Sequence, residues 1–276
     1  MNFKRTQALV LRLIAVFLAL GFSGMAELQA QVINADRNVT TDSLHPNRPK
    51  GLLSFSASAD KQRRNLVDVS SSADFSFFLP KRIVAVFLAK NDLTTNGSEL
   101  VQNAGMLHLR FRDNDSRTIY PELFTQFQWN GVLGMEGRFL IGGNARWKFI
   151  HESEHDLFFG LGMMSETEKW NNNGVPAERL SADLPPSILV QRLRLNQYVK
   201  WAWRISPKTD FVFFNFLQAP SDSPLQPRLA SHLELNFTPR SFLGFSVVLD
   251  SMYDTRPVVP IDRFYYSLKG AINLNI

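Results

Sequence analysis

The feature that most constrains the fold is an alternation of apolar and polar side chains in RLRLNQYVKWAWRI, residues 192–205. Apolar side chains occupy the odd positions and charged or polar ones the even positions, with Gln197 and Ala202 as the departures. A period of two indicates a β-strand with one apolar and one polar face. Globular strands are typically about 5–6 residues long, so this length is typical of a strand that crosses a membrane in a barrel wall.

The same alternation recurs along the chain and predicts about 12 strands. The predicted ranges are 51–62, 66–79, 82–91, 101–112, 118–131, 137–150, 155–168, 188–205, 209–218, 227–238, 242–254 and 263–276. Two of these strands are apolar on both faces in the stretches 83–90 and 211–217. Single-chain bacterial barrels have even strand numbers. We therefore predict an all-β fold, a transmembrane antiparallel β-barrel.

The connections between the predicted strands alternate in length, which predicts the two sides of the barrel. Every second connection, beginning with the one after the second strand, is short. The other set includes the longer segments 91–99, 169–187, 219–226 and 255–262, although its members near Arg63 and Gly134 are short. Outer-membrane barrels have short periplasmic turns and longer outer loops. The short set is accordingly predicted to be periplasmic.

The N-terminal segment predicts export. A basic leader precedes an apolar run at residues 13–26, and a polar patch that ends in the small residue Ala30 follows it. This order is typical of a signal peptide, cut after Ala30. The alternative is a membrane anchor, but the run is shorter than the ~20 residues that a spanning helix needs. The predicted organisation is a signal peptide at 1–30, a flexible N-terminal segment at 31–50 and the barrel at 51–276.

The C-terminal strand predicts the membrane. RFYYSLKGAINLNI, at residues 263–276, is amphipathic and resembles the insertion signal of bacterial outer-membrane barrels, although Ile276 replaces the usual terminal aromatic residue. Together with the leader it predicts the Gram-negative outer membrane, with its lipid and the barrel-assembly machinery as partners. The formal net charge of +5 is too small to indicate nucleic-acid binding. The chain has no cysteine, so no disulfide stabilises it.

If the apolar face contacts lipid, the charged face lines the lumen. The charged side chains predicted to face the lumen are Arg110, Arg112, Glu122, Arg138, Arg146, Lys148, Glu166, Glu168, Arg192, Arg194, Arg204 and Lys269. One hypothesis is a porin-like channel for small solutes, since a basic lumen favours anions such as acidic sugars. The hypothesis that we favour is a structural barrel with a narrow or plugged lumen. Glu166 and Glu168 should face Arg192 and Arg194 across adjacent strands, and 12 strands enclose a modest interior.

The string His151-Glu152-Ser153-Glu154-His155 matches H-E-x-x-H, the zinc-protease motif. The motif binds zinc on a helix, whereas the flanking residues alternate at period two and glycines 160 and 162 disfavour a helix. A third ligand is also missing nearby. We therefore predict that the string is a periplasmic turn between the sixth and seventh strands.

An outer-membrane enzyme is a third hypothesis, which the five histidines disfavour. Barrel enzymes with Ser/His/Asn or Asp/His groups carry them at the outer rim, and no histidine lies beside a serine there. Ser231 and His232 are adjacent, but alternation places them on opposite faces of a strand. We predict no catalytic residue, metal or cofactor.

Three segments resemble one bacterial family. YPELFTQFQWNGVLGMEGRFLIGGNARWKFIHESEHDLFFGLGMMSETEKW, RLRLNQYVKWAWRIS and SMYDTRPVVP are similar to the salt-induced outer-membrane protein family, a domain of unknown function. The likeness extends from about residue 50 to the end of the chain. It implies an outer-membrane barrel, and it brings no established activity, ligand or catalytic residue.

Overall fold

The computed structural model describes residues 50–61, 65–80, 83–113, 118–240 and 243–274. Within these ranges the chain forms one antiparallel sheet of 12 strands, in which strands adjacent in sequence are hydrogen-bonded. The strands are β1 (Lys50–Lys61), β2 (Asn65–Leu79), β3 (Ile83–Asn96), β4 (Glu99–Asp113), β5 (Ile119–Asn130), β6 (Met135–His151), β7 (His155–Asn171), β8 (Ser187–Ser206), β9 (Thr209–Pro220), β10 (Arg228–Arg240), β11 (Leu243–Asp254) and β12 (Phe264–Leu274). The predicted signal peptide, most of the N-terminal segment and Ile276 lie outside the described residues.

The sheet curls into a barrel, because inward side chains of strands that are not neighbours contact each other. Tyr198 on β8 donates a hydrogen bond of 2.5 Å to Glu122 on β5, with two strands between them. Arg228 on β10 lies 2.8 Å from Glu168 on β7. Neighbouring strands are about 4.7–4.9 Å apart, so a flat sheet could not bring these residues together.

The alternation in the sequence becomes an inner and an outer face. On β8, Arg194 and Asn196 are buried, whereas the intervening leucines 193 and 195 are 47% and 42% exposed. Exposed large apolar side chains on β4 to β7 include Leu107, Phe111, Leu123, Phe127, Phe139, Ile141, Phe149, Leu161 and Met163. An outward apolar surface around an antiparallel barrel is typical of the transmembrane class. The predicted fold class is confirmed.

The two strands that are apolar on both faces fill part of the interior with apolar side chains. Val84, Val86 and Leu88 on β3 pack against Met106 on β4, and all four are buried. On β9, Phe214 is buried beside Tyr198. The interior therefore has an apolar side around β3 and Met106, which the polar pattern of the other strands does not predict.

The connections distinguish a turn end and a loop end of the barrel. The turn end contains the tight turns at 152–154 and 207–208, and the loop end contains the loops 172–186, 221–227 and 255–263. Three other turn-end connections fall partly outside the described ranges. No helix among the described residues is long and apolar enough to cross a membrane.

One predicted outer loop is wrong. The stretch 91–99 is not a loop, because β3 continues to Asn96 and β4 begins at Glu99. A tight turn at 97–98 joins them, with Gly97 at φ 67°, and its N–H donates to Asn65 O at 2.7 Å. Asn-Gly is a strong hairpin signal, since such turns require positive φ. The polar composition of the strand ends concealed it.

Candidate functional site

A buried cluster of three guanidiniums and three carboxylates lies in the barrel interior near the loop end. We call it the arginine–carboxylate cluster; its members are Arg138, Glu166, Glu168, Arg194, Arg228 and Asp254. Glu166 contacts Arg138 and Arg194, and it lies 3.4 Å from Arg228 Nη1. Period-two alternation on β6, β7, β8 and β10 turns these side chains inward.

Glu168, two residues after Glu166 on β7, extends the cluster across the interior. Glu168 Oε1 accepts a hydrogen bond from Arg228 Nη1 at 2.8 Å and lies 3.1 Å from Arg138 Nε. Arg228 also binds Asp254 Oδ2 through Nη2 at 2.8 Å and through Nε at 2.9 Å. Because three positive charges meet three negative ones, the cluster fills this level of the lumen without a net charge. Such buried pairs depend on every partner being in place.

A second polar group lies closer to the turn end. Glu122 Oε1 accepts a hydrogen bond of 2.9 Å from Arg146 Nη1, and its Oε2 accepts one from the Tyr198 hydroxyl. Arg146 lies 3.9 Å from the centroid of the Phe158 ring. A Cβ at Gly160 would collide with the Tyr198 ring, so the absence of a side chain there lets Tyr198 cross the interior to Glu122. Together these side chains fill the lumen near its other end.

A third group joins β10 and β11. His232 Nδ1 lies 2.7 Å from Asp250 Oδ1, and His232 Nε2 lies 3.4 Å from Glu234 Oε2. His232 on β10 pairs with Asp250 on β11, and Asp250 pairs with Ser267 on β12. The aspartate therefore lies between the histidine and the serine. A nucleophilic serine needs the histidine beside it, and this order does not provide that.

An apolar lid covers the loop end of the interior. It consists of Leu133, Met135, Trp170, Val175, Val259 and Ile261, all of them buried. The turn at 131–134 contacts the loop after β7, where Asn171 N–H donates to Gly134 O at 2.8 Å. A Cβ at Gly134, which has φ 81°, would collide with the Asn171 carbonyl, so this close contact requires glycine. The lid therefore combines segments from three connections.

Between the lid and the Tyr198 level, an internal cavity of about 70 Å³ remains. Its lining residues come from β4–β6, β8–β11 and the lid, and among the described ones that line it the charged members are Arg110, Arg138 and Arg228. A buried water needs roughly 10–15 Å³ by this kind of measure, so the cavity holds about five waters. It is a small chamber and not a wide channel.

The structure places eight of the predicted lumen residues inside the barrel and buries them. They are Arg110, Arg112, Glu122, Arg138, Arg146, Glu166, Glu168 and Arg194. Lys148, Arg192 and Lys269 are half-buried. The expected pairing between strands seven and eight is present as the Glu166–Arg194 contact, whereas Glu168 pairs with Arg138 and Arg228.

Arg204 differs from these residues in its exposure. Its side chain is 55% exposed and lies 3.7 Å from Asp210, which is 53% exposed. Arg204 has the inward parity of β8, but it lies two residues before the end of the strand at the turn end of the barrel, where solvent reaches its side chain.

Sequence reasoning missed Arg228, Asp254 and Tyr198 as members of the interior groups. Arg228 is the first residue of β10 and Asp254 is the last residue of β11, so each lies at the edge of the alternating pattern. Both residues match the inward parity of their strands, which is the one signal that could have found them.

The H-E-x-x-H string is a turn, as predicted. His151 ends β6 and His155 begins β7, so the two histidines lie on different strands. His151 Nδ1 is 2.5 Å from Asp156 Oδ1, and the His155 ring stacks on Trp203. Within the described ranges no group of three or more His, Cys, Asp or Glu side chains could hold a metal ion.

Comparisons with known proteins add little to this geometry. No family model and no curated protein matches the chain, so its resemblance to the salt-induced family stays a prediction. A solved structure described as a NanC porin is similar to it with a TM-score of 0.44 and 9% sequence identity. That similarity covers 83% of this chain and 98% of the porin chain.

Proposed function

We propose that this protein is a structural barrel of the bacterial outer membrane with a closed lumen. The observation that carries the proposal is the filled interior, in which the apolar lid, the arginine–carboxylate cluster and the Tyr198 level follow one another. Solute flow needs a continuous wet path, whereas the chamber between these levels measures about 70 Å³. The salt-induced family is the proposed relationship, with no activity attached to it.

The outer face supports the proposed membrane location. Tryptophans lie near strand ends, where the membrane interface of a barrel is rich in aromatic residues. Trp129 is the second-last residue of β5, and Trp201 and Trp203 stack near the turn end of β8 at 5.7 Å between centroids. The turn end would face the periplasm and the loop end the exterior. The outer-membrane lipid and the barrel-assembly machinery are the proposed partners.

The proposal that the protein is a membrane-inserted barrel is tested by its heat modifiability. The protein is extracted with detergent from the outer-membrane fraction, and its gel mobility is compared before and after boiling. A β-barrel whose strands are paired by hydrogen bonds should resist sodium dodecyl sulfate until it is boiled. We expect two gel mobilities, one for unheated and one for boiled protein. Recovery in the soluble fraction, or one mobility under both conditions, would contradict the proposal.

The closed lumen is tested by single-channel recording in planar bilayers. Protein that shows heat modifiability should give no discrete current steps. A matched variant with Val259→Ser and Ile261→Ser weakens the lid and should still not conduct, because the arginine–carboxylate cluster lies beneath it. Discrete steps in the wild-type protein would overturn the closed lumen.

The second candidate function is a channel for small anions or acidic sugars. Arg110 favours it, because it lines the cavity and its Nε and Nη1 have no hydrogen-bond partner among the described residues. Under a salt gradient, such a channel would give a reversal potential shifted toward the equilibrium potential of the anion. The same recordings therefore separate the two functions. No observation among the described interior residues supports an enzyme.

A further inference from the structure

Arg110 is a buried cation that no carboxylate balances in the described structure. It is 3% exposed and lines the cavity beneath the lid. Its Nε and Nη1 have no hydrogen-bond partner among the described residues. Its guanidinium carbon lies 5.9 Å from the centroid of the Tyr198 ring. This arrangement differs from that of the other two arginines of the cavity.

The register explains the difference. Arg110 stands between Val86 on β3 and Phe124 on β5, and both of these neighbours are buried and apolar. Arg138 and Arg228 instead reach the glutamates of β7, and their charges are neutralised there. Arg110 thus lies where the apolar side of the interior meets the cavity, and no carboxylate is among the described residues that line the cavity.

A buried guanidinium without a counterion is costly in an apolar environment, and a small anion in the cavity would remove that cost. The planar fork of Arg matches a carboxylate in geometry. Gln126 and Gln128 also line the cavity, and each side-chain amide carries two N–H donors. The Gln126 amide donates one of them to Gln128 and has a second to offer.

We propose that this cavity is a binding site for one small carboxylate, with the Arg110 guanidinium as its main ligand and the glutamine amides around it. The volume of about 70 Å³, room for about five waters, restricts the ligand to a carboxylate with few non-hydrogen atoms, such as acetate. Leu133 and Met135 of the lid also line the cavity, so the lid covers the bound anion. This site requires the barrel fold and is independent of whether the lumen conducts.

The test is equilibrium dialysis of radiolabelled acetate against the purified full-length barrel in an uncharged detergent. Wild-type protein should bind one acetate saturably, formate should displace it, and citrate should not because it is too large. Arg110→Met should bind about ten-fold to a hundred-fold more weakly, the usual effect of losing charge-assisted hydrogen bonds. Arg204→Met removes an exposed arginine and is the matched control, with binding unchanged.

A second variant tests the site without removing the arginine. Phe124→Glu places a carboxylate beside Arg110 in the cavity and should abolish acetate binding while heat modifiability persists. If Arg110→Met does not fold, Phe124→Glu still tests the site. Absence of saturable binding to wild-type protein would overturn the proposal. Equal binding to Arg110→Met and Arg204→Met, or to Phe124→Glu and wild type, would overturn it as well. Planar-bilayer recordings test the closed lumen, and their outcome does not change the interpretation of the acetate-binding experiment.

Discussion

The two sides of the barrel interior are filled by different chemistry. Around β3 the inward side chains form an apolar cluster with Met106 of β4, and Val84, Val86 and Met106 are completely buried. At β6–β10 they are charged and form the arginine–carboxylate cluster. Contacts on the apolar side are non-directional, so a neighbour can move and still pack. Contacts in the cluster are directional, and each charge depends on its partner, so removal of one group leaves others buried and unpaired.

The largest effect should follow the removal of the carboxylate at the centre of the cluster. Glu166 contacts three guanidiniums, of Arg138, Arg194 and Arg228. Glu166→Gln keeps the shape and removes the charge, so we expect a loss of about 3–5 kcal/mol in the free energy of unfolding. Urea unfolding in detergent micelles, followed by tryptophan fluorescence, measures it.

Glu136→Gln is the matched control on the same barrel. Glu136 lies 2.6 Å from Lys169 with both side chains partly exposed, 35% and 56%. Its loss should change stability by about 0–1 kcal/mol, as is usual for surface pairs. If the two variants unfold at the same urea concentration, burial does not make the ion pairs of the cluster contribute more to stability than a surface pair.

On the apolar side the corresponding change is a cavity. Met106 is fully buried and packs against the valines of β3. Met106→Ala should cost about 2–3 kcal/mol, because large-to-small changes leave a void but no unpaired charge. Leu107→Ala, one residue away and 45% exposed on the outer face, should cost much less. The same unfolding experiment compares the pair, and a greater loss for Leu107→Ala would show that the inner and outer faces are exchanged.

A third prediction concerns the level at which Tyr198 crosses the interior. Gly160→Ala would push the Tyr198 ring away from β7 and weaken its hydrogen bond to Glu122. Overpacking of this kind typically costs about 1–3 kcal/mol. Tyr198→Phe removes the hydroxyl alone, and in a Gly160→Ala background it should cost less than it does in the wild type. Fully additive losses in this double-mutant cycle would contradict the coupling.

The difference between the two sides also limits what the sequence can predict. Period two is a local property, so the strands and the inward position of residues such as Arg138 and Glu166 could be predicted. Which charges meet across the lumen depends on barrel curvature and strand stagger, so the Arg228–Glu168 contact could not. Arg110 illustrates both cases: its inward position was predicted, whereas its apolar neighbours depend on register. The turn at Gly97 was missed because polar strand ends resemble a loop in composition.

The smallest effect should come from an ion pair with nearly the same geometry as those in the cluster. Arg179 Nη2 lies 2.8 Å from Asp262 Oδ1, the distance that also separates Arg228 and Glu168, but its partners are 42% and 60% exposed. Water and salt screen such a pair, so Arg179→Gln should cost less than about 1 kcal/mol. Urea unfolding at low and high salt measures this, and the small loss should vanish at high salt. A loss as large as that of Glu166→Gln would mean that the loops, and not the buried cluster, determine the stability of the barrel.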